Sequence, residues 1–215
     1  NSGITLLNYY LNNCNEEEKP KIKLMLARAY RHLGTTRYVI RKKYKIEKAK
    51  AIEENLNKAL AELEGVDENS QDYKRMKAGI DYNRFLIKYK NIMNQNGEFA
   101  MEYSEIANIR TDLLKRFKMD PNENQSNNIG EQLRNSNEFD SHRKIKILSL
   151  LADIDFRLML KENAKDQKAF FEKEIDCCIK GIEKILKDNI YFDEGMELYL
   201  QQKFEMLCYD LNKQN

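Results

Sequence analysis

Apolar residues recur along this chain every three or four positions, the period of helices with one buried face. The first such stripe, Ile4, Leu6, Leu7, Tyr10 and Leu11, marks a short helix over 4–13 that begins abruptly, as if something upstream were absent. Glu16-Glu17-Glu18-Lys19-Pro20 opens the next, with acids in its first turn and proline near its start. That helix carries Ile22, Leu24, Met25, Leu26, Ala29, Tyr30 and Leu33. Past Gly34 helical character resumes through Val39, Ile40, Tyr44 and Ile46, studded with Arg37, Arg41, Lys42, Lys43 and Lys45. Ile52, Leu56, Ala59, Leu60 and Leu63 mark a further helix, closed by Gly65 and the polar run Asp67-Glu68-Asn69-Ser70.

A long helix then runs from Tyr73 to about Asn94, stopped by Asn96-Gly97, and another spans 99–118, ending before Pro121. The stretch 120–141, rich in Asn, Ser and Gly, reads as a polar, mobile loop. Three helices close the chain over 143–161, 166–187 and 193–212. The expectation is an all-α protein of about eight helices in one domain, 1–215. Composition agrees: 8 Gly and 2 Pro in 215 residues leave few breakers, and a third of the residues are charged.

Net charge is +2, from 37 basic and 35 acidic groups, which argues against general attraction to nucleic acid or membranes. Charge-based function therefore requires a local cluster. No apolar run approaches a membrane span, no signal peptide is visible, and Cys14, Cys177, Cys178 and Cys208 show no disulfide-framework spacing. Reduced thiols and a cytoplasmic address are expected, with the nucleus also open. His32 and His142 lack neighbours at metal-ligand spacing, and no phosphate loop, nucleophile elbow or HExxH pattern occurs. No metal, cofactor or catalytic residue is therefore assigned, and the adjacent Cys177-Cys178 reads as core.

The local charge cluster lies on the long helix. Met76, Ile80 and Phe85 form its apolar stripe, while Lys77 and Arg84, seven positions or about two turns apart, project together from another face. Asp81, four after Lys77 and three before Arg84, is placed to hold both cations extended. Such a face is either half of an anion site or a solvated stripe of i,i+4 pairs. Two rival patterns stand beside it. Residues 27–45 resemble a DNA-binding helix-turn-helix, with Gly34 in the turn and basic residues on the second helix. Were Gly34 inside one continuous helix, the same cations would line a rod. Leu26-Ala27-Arg28-Ala29-Tyr30 and Ala59-Leu60 suggest a tetratricopeptide-like scaffold, without the 34-residue period that such arrays require.

Taken together, these stretches resemble the 14-3-3 family of phosphoserine/phosphothreonine adaptor proteins. Lys77, Asp81, Tyr82, Arg84, Phe85 and Leu86, with the adjacent Met76, are similar to the family's helix carrying Lys-x-x-x-Asp-Tyr-x-Arg-Tyr-Leu. Leu26, Ala29, Tyr30, Gly34, Arg37, Arg41, Ile46 and Glu47 stand at the places of its Leu-x-x-Ala-Tyr…Gly-x-x-Arg-x-x-x-Arg…Ile-Glu stretch. Weaker similarity continues in 142–160 and 191–207, so the resemblance covers most of the chain, with the first two motifs its specific part.

The resemblance implies antiparallel helices forming a cup with a concave groove, a homodimer, and non-enzymatic binding of phosphorylated or acidic protein segments. It assigns Arg37 and Arg84 to the phosphate, with Lys77 and Arg41 as supporting cations and Asp81 between them. A phosphate carries about −1.5 to −2 charge and three acceptor oxygens, which arginine forks match bidentately. Ile154, Leu158, Leu200 and Leu207 would form the apolar groove wall. Several positions depart from the pattern. Phe85 stands where the family has a phosphate-binding tyrosine. Arg31 or Tyr30, depending on register, stands for the first-helix lysine. Leu151 or Asp153, and Phe204, stand near the two asparagines that clamp the peptide backbone. The family's first dimer-forming helix and most of its turn between the third and fourth helices are unmatched, as though segments near 48–52 had dropped out.

Overall fold

The structure, a computed structural model, describes residues 2–34, 46–96, 102–117, 119, 131–133, 136, 139–188 and 193–213, without the side chains of 46–49, 90–96, 193–195, 197, 207 and 210–213. The protein is all-α. Eight helices run through the described residues: α1 (Ser2–Asn13), α2 (Lys19–Leu33), α3 (Ile46–Ala61), α4 (Gln71–Asn96), α5 (Tyr103–Arg116), α6 (Ser141–Lys161), α7 (Lys165–Lys187) and α8 (Asp193–Lys213). Where the sequence reads as one domain, the fold groups into two compact units, Asn1–Met101 and Glu102–Asn215.

In the first unit α2 packs against α1, α3 and α4, and α3 packs against α4. The three acids expected in the first turn of α2 instead form the turn ahead of it. Asn15 closes that turn by accepting the Glu18 N–H at 3.0 Å, and Pro20 takes the first helical turn, where its missing donor does no harm. Leu26 and Ala27 of α2, Ile52, Leu56, Ala59 and Leu63 around α3, and Met76, Ile80, Leu86, Ile87 and Tyr89 of α4 are all buried. α3 runs unbroken through Lys48-Ala49-Lys50-Ala51, so a segment lost there is not supported; Ala, Lys and Glu are strong helix formers and supply no stop. The turn that follows α3 passes through Gly65, whose φ of +77° favours a residue without Cβ. Lys23 fastens the turn by donating to the Glu64 carbonyl at 2.8 Å. α4 starts behind Ser70, whose hydroxyl accepts the Tyr73 N–H at 3.2 Å.

α2 stops at Leu33. Gly34 follows it with its N–H bonded to the Tyr30 carbonyl at 3.0 Å. The reason for glycine is contact: a Cβ there would lie 2.8 Å from Leu56 Cγ and Cδ2 and 3.2 Å from the Ile52 carbonyl oxygen. Asn83 of α4, buried, donates its side-chain amide to the Gly34 carbonyl at 3.3 Å. The chain therefore leaves α2 at a point tied to both α3 and α4. The helix expected through Val39 and Ile40 lies outside the described residues.

In the second unit α6 packs against α5, α7 and α8, and α8 also packs against α7. α6 begins on Asp140, whose carboxylate accepts the Arg143 N–H at 2.8 Å. Its buried positions run from Ile145 to Met159. Glu102 and Glu105 close the start of α5 with a reciprocal capping box. The described part of the expected polar loop at 120–141 is tied to this core: 131–133 are helical, Leu133 is buried, and Phe139 packs edge-on to Phe117 with ring centroids 5.6 Å apart. Residues 120–130 of that loop lie outside the described residues.

Candidate functional site

The charged face of α4 is a pair with a neighbour rather than a row of solvated ions. Lys77 donates to both oxygens of Asp81, at 2.9 and 2.8 Å. The two side chains are only 23% and 9% exposed, too buried for a freely solvated pair. Asp81 and Asn83 are both buried, whereas Arg84 between these helical turns is exposed. Burial pushes the Asp81 carboxyl up to about 7 while Arg84 pulls it down. Lys77, seated on both oxygens, favours the ionised form. The result is a cation held in place by a sunken carboxylate, with a guanidinium standing clear on the same face. With Asp81 ionised, Lys77, Asp81 and Arg84 together carry one positive charge.

The other assigned residues are distributed unevenly. Arg31 lies in the last turn of α2, partly exposed, and Phe85 is half-buried on α4. A phenyl ring at 85 offers an anion no donor. Arg37 and Arg41 lie outside the described residues. Ile154 and Leu158 are buried, at 0% and 1% exposure, so they belong to the core around α6 and give a ligand no wall; each continues the apolar stripe facing α6's neighbours. Leu200 is 56% exposed and stands in a strip with Met196 and Phe204, four positions apart on α8. Leu207 belongs to the same helix, and its side chain lies outside the described residues. Lys203 lies over the Tyr199 ring at 5.6 Å.

One charged cluster was not singled out from the sequence. Arg110 of α5 donates Nε to Asp155 Oδ1 and Nη2 to Asp155 Oδ2 at 3.4 Å, and its Nη2 lies 3.6 Å from Glu174 Oε2. The side chains of Arg110, Asp155 and Glu174 are 11%, 0% and 7% exposed. The guanidinium also stacks near Phe170 and Phe171, at 5.7 and 5.9 Å from their centroids. Burial pushes Asp155 up to about 6 against the pull of Arg110. Burial, then the Asp155 charge, raises Glu174. The thiol of Cys178, buried beside these acids, is pushed well above its ordinary range by burial and then by Asp155 and Glu174. A signal existed: Arg110, Asp155 and Glu174 each interrupt an apolar stripe, between Ile106 and Leu113, Leu151 and Leu158, and Phe171 and Cys178.

Among the described residues no group of three or more His, Cys, Asp or Glu is placed to hold a metal ion, and no helix is long and apolar enough to cross a membrane. Comparisons with protein-family models, with curated proteins and with solved structures found no match.

Proposed function

We propose that the chain is a 14-3-3-like adaptor that binds phosphoserine- or phosphothreonine-containing segments of partner proteins through the cationic face of α4. The observation that carries this reading is the Lys77–Asp81–Arg84 arrangement. Asp81 is sunk into the helix face and fixes the Lys77 ammonium with two hydrogen bonds, while Arg84 projects from the same face into solvent. A rigid, partly desolvated cation beside an exposed guanidinium fork suits a tetrahedral dianion better than a plain carboxylate. Arg37 enters this reading through the resemblance, as the second phosphate-binding arginine. Arg41 and Arg31 are supporting cations in this reading. The protein acts by binding rather than by catalysis, and the family resemblance extends the proposal to a cup-shaped, cytoplasmic homodimer. The apolar residues that α1 leaves exposed, Leu6, Tyr9 and Tyr10, are consistent with a covered face there.

Titration with a phosphoserine peptide and its unphosphorylated twin tests the reading. Wild type should prefer the phosphopeptide, and Arg84→Glu should lose that preference. Equal, weak binding of both peptides to wild type removes it. The stop of α2 at Leu33, with Gly34 in a turn, favours one second reading, a helix-turn-helix that binds DNA. A salt-dependent shift of random duplex that Arg37→Glu abolishes and Arg84→Glu spares would put that reading first.

A further inference from the structure

We draw no further inference here: the strongest candidate, the exposed apolar strip of Met196, Leu200 and Phe204 along α8, carries none because nothing in the structure shows what covers it.

Discussion

Gly34 shows how one missing methyl can organise a neighbourhood. Leu56, with no exposed surface, fills the space where a Cβ would stand, and Asn83 takes the carbonyl of the same residue. Gly34→Ala should therefore lower stability by about 1–3 kcal/mol, the range for forcing a methyl into a packed core, as measured by urea denaturation. A loss below about 0.5 kcal/mol would mean that Leu56 moves aside freely. The sequence marks Gly34 as a punctuation point, but a turn and a continuous rod fit the pattern equally. The demand for glycine itself comes from the approach of α3, which is encoded at Leu56, far along the chain. Asp81 and Lys77 behave differently, because a pair four apart on a helix is a local matter and can be read from spacing. Their burial cannot, since it depends on what the rest of the unit lays over them.

At the scale of elements, apolar spacing locates the helices well, and polar punctuation locates their ends within a few residues. Pro20 and Gly65 work through backbone chemistry that needs no partner. Asp140 and the pair Glu102 and Glu105 do the same through caps. Spacing does not reveal which way a stripe faces. Ile154 and Leu158 look like candidates for a groove wall, and both are interior to α6, the helix that meets α5, α7 and α8. Leu158→Ala should thus destabilise the fold by about 2–5 kcal/mol by leaving a cavity. Under the proposed function, binding of the phosphoserine peptide to the folded variant should match wild type. A specific affinity loss at unchanged stability would return Leu158 to a ligand-contacting surface. On α8 the opposite holds: Phe204, 66% exposed, can be replaced by Ser with a stability change within about 0.5 kcal/mol by thermal melt.

At the scale of the molecule, three buried carboxyls give stability a common slope with pH. Asp81 is raised to about 7 and Asp155 to about 6, and Glu174 is raised as well, each chiefly by burial. A carboxyl whose folded pKa lies above its unfolded value binds its proton more tightly in the folded state. The stability it contributes is complete below the unfolded value near 4 and disappears as pH rises through the folded value. The melting temperature should therefore rise as the buffer is taken from about pH 8 to about pH 5, the reverse of ordinary acid weakening. Asp81→Asn and Glu174→Gln should each flatten part of that rise. A flat or falling profile in wild type would show that these acids keep ordinary values in the fold. Such a slope is hidden in composition, since nothing in a count of 35 acids distinguishes the few that are buried.

The vicinal cysteines give the chain a built-in chemical contrast. Neighbouring side chains on a helix diverge by about 100°, and here that turn separates a half-buried sulfur at Cys177 from one at Cys178 that is buried and strongly protonated. Thiolates, not thiols, attack maleimides and disulfide reagents. A dye offered to the native protein should thus reach Cys177, along with the part-exposed Cys14 and Cys208, and leave Cys178 untouched until α7 unfolds. The pair then serves as an internal clock for the opening of the second unit, with one sulfur reporting the surface and the adjacent one reporting the core.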